Sequence, residues 1–324
     1  MKRRFQHQIG IFIILLMSFC GFQVGAETYP NKSVKIVVGF SPGGGPDITA
    51  RILGQKLSEK WGQSVIIENK PGAGANIATQ YVASSKPDGY TLLSVSNAFA
   101  IAPAIYSKLP FDTLKDLEGV TLTATGAALV LISPNLKINS VAELIALAKK
   151  DPGKYTFSSA GVGSGSHFGA EILQAKAGVE FLHVPTKGIP EGITEVLSGR
   201  VDFFISPYAS AINMVRDGRA RAIAITSIQR GKEFPNLPTV AESVPGYQWE
   251  FWYGLIAPRN TPKEVLAQIA QAVKRINQLP DVKERYAGLG LEPISSTPDE
   301  FDKLIKAQVS ELIRIAKAAK ITAE

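Results

Sequence analysis

Two stretches of this 324-residue chain gather glycines and hydroxyls where an apolar run ends and a helical pattern begins. The first reads Ser41-Pro42-Gly43-Gly44-Gly45-Pro46-Asp47 and the second Gly161-Val162-Gly163-Ser164-Gly165-Ser166-His167. Glycine lets the backbone approach a bound group closely and aim successive N–H groups at it. A helix start just beyond adds unpaired donors and the positive end of its dipole. Such a loop holds an anion without a charged side chain. In the first loop Pro42 and Pro46 carry no N–H, which leaves Gly43, Gly44, Gly45, Asp47 and Ile48 as donors, supported by the Ser41 hydroxyl. In the second, Gly161, Gly163, Ser164, Gly165 and Ser166 can all donate. One loop of this kind is as readily a tight strand-to-helix turn. Two of them, one in each half, point to a carboxylate gripped from opposite sides.

Other chemistries fit less well. The first loop lacks the lysine and hydroxyl that end a P-loop, and neither loop has the context of a G-x-G-x-x-G dinucleotide fingerprint. No G-x-S-x-G elbow surrounds Ser164 or Ser166. Of three histidines, His7 falls in an N-terminal leader, His167 sits where it can hydrogen-bond the glycine loop, and His183 reads as a core residue. Neither His167 nor His183 has a partner at metal-ligand spacing, and no metal, cofactor or catalytic residue is expected. Asp202 suits bracing of the turn at Ser198-Gly199-Arg200. Phe40 and Tyr208, at strand ends beside loops, suit the wall of a ligand site. Trp249, Phe251, Trp252 and Tyr253 are dense enough to line a cleft but as a group read as core. A secreted hydrolase or isomerase is the alternative from another class, but it needs a positioned nucleophile or base.

Positioning these loops takes an α/β framework. Val34 to Phe40 forms an apolar, β-branched run, and Ile48, Ile52, Leu53, Leu57 and Trp61 then share one helical face. Strand patterns recur at Val65–Glu68, Tyr90–Val95, Ala128–Ile132, Tyr155–Ser159, Phe181–Val184, Val201–Ile205, Ala220–Thr226 and Trp249–Ala257. Helical patterns lie between several of them and close the chain from Pro262 and from Pro298. This alternation predicts mostly parallel sheets flanked by helices. The length exceeds one compact core. Two lobes are therefore expected, residues 27–124 with 247–324 and residues 125–246, joined by crossovers near Thr121–Gly126 and Pro245–Trp249. Open α/β sheets place ligands at the carboxyl ends of their strands, where both glycine loops fall.

The first 26 residues read as a cleaved signal peptide: Lys2-Arg3-Arg4, an apolar run from Ile9 to Phe19, and Val24-Gly25-Ala26 before the cut. The apolar run is short for a bilayer span of about 20 residues. Export to the periplasm follows. Cys20 is the sole cysteine, and Phe19 before it is too bulky for lipoprotein processing. The mature chain then has no thiol for a disulfide or a nucleophile. Removing the three basic leader residues lowers the formal charge from +7 to +4. That balance mildly favours anionic ligands. The basic residues are scattered rather than gathered into a stripe, which argues against nucleic acid.

Phe40-Ser41-Pro42-Gly43-Gly44-Gly45-Pro46-Asp47, followed by Ala50-Arg51, resembles the first loop of the Bug solute receptors, the binding components of tripartite tricarboxylate transporters. Further matches run along the chain, among them Glu68-Asn69-Lys70-Pro71-Gly72-Ala73-Gly74, Lys86-Pro87-Asp88-Gly89-Tyr90, Val184-Pro185-x-Lys187-Gly188 and Trp252-Tyr253-Gly254. The resemblance implies a two-lobed type II periplasmic binding protein (a Venus flytrap) that closes on a small carboxylate and hands it to membrane subunits on separate chains. It also implies ligand contacts from Phe40, Ser41, Pro42, Gly43, Gly44 and Asp47, and from Ser159, Gly161, Gly163, Ser164 and His167. Thr186, Lys187 and Gly188 would form a third wall and Asn97 would contribute from a strand end. A monomeric receptor is expected, with a sensing partner of a membrane receptor as the alternative. Relatives often carry tyrosine at the position of Thr186 and a Phe-Asp pair at that of Ile205-Ser206. Ser206 in place of an acid removes a charge that could hold an amino group. The ligand is then expected to be a carboxylate that need not be an amino acid, with room for a ring or bulky tail.

Overall fold

The computed structural model describes residues 29–231, 235–318 and 321–322, so the expected leader, with His7 and Cys20, lies outside the described residues. In chain order the first half holds β1 (Val34–Val38), α1 (Gly45–Trp61), β2 (Val65–Asn69), α2 (Asn76–Ala83), β3 (Thr91–Ser96) and α3 (Ala98–Ile105). A long β4 (Leu117–Ile132) leads to α4 (Val141–Lys150), β5 (Thr156–Ser159), α5 (Gly165–Ala177), β6 (Leu182–Pro185), α6 (Ile189–Leu197), β7 (Phe203–Pro207), α7 (Tyr208–Arg216) and β8 (Arg221–Ile225). The short α8 (Val240–Ser243), β9 (Glu250–Pro258), α9 (Lys263–Ile276), α10 (Pro280–Ala287), β10 (Leu291–Pro293) and α11 (Pro298–Ala318) complete the order.

The β-branched run of β1 buries Val34, Ile36, Val37 and Val38 completely. It pairs in parallel with β2 on one side and β3 on the other. Helix α1 covers it with Ile52, Leu53 and Leu57, the stripe read from the sequence. The helix ends where Gly62 takes a left-handed φ of 64° and returns its N–H to the Ser58 carbonyl at 3.0 Å. In the second half β5 runs parallel to both β6 and β7.

What joins the halves is β4. From Leu117 to Ala127 it runs antiparallel to β9, and from Ala128 or Leu129 to Ile132 it lies between β7 and β8, antiparallel to both. Strand β9 also pairs antiparallel with β3, giving the order β2-β1-β3-β9-β4-β7-β5-β6, with β8 and β10 also on β4. Each half is thus largely parallel, as the alternation predicts, while the two strands between the halves are antiparallel. Strand β4 begins well before the expected Ala128. Its early part interleaves Thr121, Thr123 and Thr125 with Gly119 and Gly126, which masks the strand pattern, but pairing on β9 makes it continuous. No helix among the described residues is long and apolar enough to cross a membrane.

Candidate functional site

The first glycine loop is tied by one carboxylate. Asp47 is 2% exposed. Its Oδ2 accepts the Gly43 N–H and the Arg51 Nε–H, both at 2.9 Å, and its Oδ1 accepts from Asn69 Nδ2 at 2.9 Å and pairs with Arg51 Nη2 at 2.9 Å. Asn69 Nδ2 also reaches the Phe40 carbonyl at 3.0 Å. Burial alone would raise the Asp47 carboxyl, but these donors, Arg51 foremost, outweigh it and hold the group below its ordinary value. Gly43 has φ +87°, a turn that β-carbon-bearing residues resist. The geometry narrows the expected donor set. The Gly43 N–H is taken by Asp47, and the Ile48 N–H closes on the Gly44 carbonyl at 2.9 Å. Gly44, Gly45 and Asp47 keep amides without an intrahelical acceptor at the start of α1, which has no side-chain cap.

The second loop reaches the same outline through hydroxyls and a pair of histidines. Gly161 (φ +111°) and Gly163 (φ +79°) make the turn. Gly161 donates its N–H to Ser159 Oγ at 3.1 Å, Gly163 to His167 Nδ1 at 3.2 Å and Ser164 to the Gly161 carbonyl at 3.1 Å. Ser164 Oγ caps α5 by accepting the His167 N–H at 3.3 Å, and Ser166 Oγ accepts the Ala160 N–H at 2.9 Å. Gly165 and Ser166 are left as the first-turn donors of α5. Behind the loop the His167 and His183 rings stack with centroids 4.0 Å apart, and His183 Nε2 lies 2.6 Å from Ser159 Oγ. His167 Nε2 is 3.3 Å from Glu171 Oε1. Burial, and then the neighbouring His167, push His183 down to about 3, so it stays neutral. His183 therefore underpins the glycine loop and is partly buried rather than a core residue.

Each loop is seated against the opposite half. Ser41 Oγ donates to Glu191 Oε1 on α6 at 3.2 Å, and Ser210 Oγ on α7 donates to the Gly43 carbonyl at 3.2 Å. In return Tyr106 Oη donates to the Val162 carbonyl at 3.2 Å. The two loops meet at a cavity of about 20 Å³, lined by Gly45 and Pro46 from the first and Ala160, Ser164, Gly165 and Ser166 from the second. Phe40, Ser96, Ile189, Pro207, Phe251 and Tyr253 close it, and no charged side chain lines it. Its size suits about one water.

The floor of this cavity is β9, whose Phe251 and Tyr253 line it while lying buried. A Cβ on Gly45 would stand 2.2 Å from Tyr253 Oη, and one on Gly165 would stand 2.4 Å from a Phe251 ring carbon. Each helix therefore starts on glycine because an aromatic ring of β9 lies beneath it. The two rings are nearly parallel, 8° apart in plane with centroids at 6.5 Å. The signal available in the sequence was their i, i+2 spacing, which puts them on one face of a strand.

The other expected contacts divide between the cavity and its surroundings. Phe40 lines the cavity. Ser41 is partly buried, whereas Pro42 and Gly43 are exposed. Asn97 is not among the lining residues: its amide donates to the Glu250 carbonyl at 3.1 Å and accepts the Trp252 N–H at 3.2 Å, fastening β9 to the end of β3. Thr186 Oγ1 lies 2.7 Å from the Ser159 carbonyl and 2.8 Å from the Gly188 carbonyl, sharing its one hydrogen between them and holding the turn before α6, and Lys187 is exposed. Ser206 is fully buried with its Oγ on the Pro207 carbonyl at 3.1 Å, so Pro207 rather than Ser206 faces the cavity. Tyr208 packs in the core beside Gly290. Asp202 accepts the Thr156 N–H at 2.7 Å and braces β5.

Comparison with known proteins bears on what this site does. Residues 49–321 match the family model described as tripartite tricarboxylate transporter family receptor. The chain is 33% identical over 304 residues to Protein BugT of Bordetella pertussis, covering 93% of each. Among solved structures, R. palustris Rpa4515 with adipate aligns at a TM-score of 0.87 and 30% identity, over 91% of this chain and 99% of that one. MatC from Rhodopseudomonas palustris with bound malate aligns at 0.83 and 28%, over 89% and 99%.

Proposed function

The chain belongs to the tripartite tricarboxylate transporter receptors, and on that footing we propose that it captures a small carboxylate between two lobes of a type II periplasmic binding fold. The observation that carries the reading is the convergence of two glycine-started helices, one from each half, on a single cavity without a charged lining side chain. An anion there is held by peptide amides, hydroxyls and helix dipoles. The lobes are residues 27–124 with 247–324 and residues 125–246, and the exchange of β4 partners at Ala127–Ala128 supports that division. Parting of the lobes about β4 and β9 admits the ligand, and closure brings Gly45 and Gly165 together upon it.

The protein acts in the periplasm as a monomer without catalysing a reaction, and delivers its ligand to membrane subunits on separate chains. The adipate and malate of the two solved relatives suggest a dicarboxylate. Ser206 and Thr186 give no direct contact from which to read the ligand's tail, so size selection falls to Phe40, Ile189 and Pro207 at the cavity wall. The test is mass spectrometry of small molecules released from denatured protein, followed by thermal-shift titration of mono- and dicarboxylates. A dicarboxylate that raises the melting temperature in a saturable way supports the reading. Binding confined to amino acids or neutral solutes refutes it.

A further inference from the structure

Tyr253 is 1% exposed, and its hydroxyl has no hydrogen-bond partner among the described residues. A buried hydroxyl without a partner costs stability, and such groups persist where they serve something else. This one stands at the Gly45 end of the cavity between the two loops. We infer that the Tyr253 hydroxyl is a ligand-binding donor, giving its hydrogen to the carboxylate held between the starts of α1 and α5. The inference rests on the receptor reading and adds a side chain from the strand between the lobes to the two backbone loops.

Three features of the site favour this role. Burial raises the phenol's pKa, so it stays protonated and has a hydrogen to give. The ring cannot easily swing away, because it is stacked with Phe251 and lies under the glycine that opens α1. And the cavity offers neutral donors only, among them the Gly45, Gly165 and Ser166 amides and the Ser96, Ser164 and Ser166 hydroxyls. The Ser164 and Ser166 hydroxyls already bond each other at 3.0 Å. Of the lining hydroxyls, that of Tyr253 is fully buried and has no partner among the described residues.

Tyr253→Phe removes only the oxygen. Isothermal titration with a dicarboxylate panel that includes adipate and malate should show a Kd about tenfold higher for the variant, as for loss of one hydrogen bond to a charged group. The melting temperature without ligand should be equal to or above that of the wild type. A Kd within twofold of the wild type would overturn the inference. So would a ligand-free variant that melts several degrees lower or does not fold, since the hydroxyl would then serve the fold. If the wild type itself binds no acid in the panel, the receptor reading fails and this role falls with it. A variant that binds as the wild type does overturns the Tyr253 role alone.

Discussion

The two glycine loops do the same backbone work with different chemistry. The first is tied by a buried carboxylate, Asp47, with a guanidinium and an amide around it. The second is tied by hydroxyls and a stacked histidine pair. Each ends with a helix opening on glycine over a β9 aromatic. The shared part is what an anion would feel, first-turn amides aimed at one point. The part that differs is the support: Asp47 turns away from the cavity, whereas Ser164 and Ser166 both brace the second loop and line the cavity. The chemistry of a loop's brace is thus free to vary so long as the helix start keeps its place.

The largest effects should come from the shared part. Gly45→Ala would drive a methyl into Tyr253, and Gly165→Ala would drive one into Phe251. Either overlap must push α1 or α5 off the floor. We expect carboxylate affinity to fall by at least about 100-fold, with about 1–3 kcal/mol of lost stability from overpacking. Calorimetric titration and urea melts measure the two separately. If only one of the pair loses affinity, the ligand is held by one loop and the symmetry of the site is superficial.

Breaking the brace of the first loop comes next. Asp47→Asn leaves Arg51 without its counter-charge and the Gly43 N–H without a carboxylate acceptor. Removing one partner of a buried pair costs about 3–5 kcal/mol. Arg51 is about half exposed, at 49%, so solvent offsets part of that, and about 2–3 kcal/mol is expected in urea melts. The conservative Asp47→Glu should not rescue it, because the four bonds to Gly43, Arg51 and Asn69 fix the carboxylate's position.

How far the sequence revealed this site follows from the same division. Glycines with positive φ and helix starts after strands are local features, and Gly43, Gly161 and Gly163 turn as their types require. The role of Phe251 and Tyr253 depends on β9 returning from far along the chain to lie under both helices, which no local pattern encodes. Asn97 is the converse case. Its position at a strand end suggested a ligand contact, yet its amide is drawn off by the backbone of β9. Asp47 carries the family's motif, but four bonds turn its carboxylate toward its own loop.

Acid should separate the two braces. His183 has an ordinary value of 6.5 and a folded value near 3, so between those limits the unfolded chain binds a proton that the native site refuses. Its contribution to stability is complete above pH 6.5 and is lost as pH falls toward 3, by up to about 1.4 kcal/mol per pH unit. Asp47 is a depressed carboxylate, so its contribution is present above its ordinary value of 3.8 and is lost only as pH falls below that. Between pH 6.5 and 3.8 the loss among the braces therefore belongs to the second loop. Urea melts at pH 7 and at pH 5 should differ for the wild type, and the difference should shrink in His183→Gln. An unchanged difference would move the acid sensitivity away from the stacked histidines.

The smallest effect tests whether the neutral brace is distributed. Ser166 Oγ accepts the buried Ala160 N–H and bonds Ser164 Oγ, so Ser166→Ala leaves one amide without its acceptor. An unpaired buried amide costs about 1–3 kcal/mol. The Gly161 and Gly163 amides keep their own acceptors, Ser159 Oγ and His167 Nδ1, so the loop retains its course. The expected loss is at the low end, about 1 kcal/mol in urea melts, with affinity falling less than in Gly165→Ala. A loss as large as that of Asp47→Asn would mean that the second loop also hangs on a single group, and the contrast between one ionic tie and many neutral ones would fail.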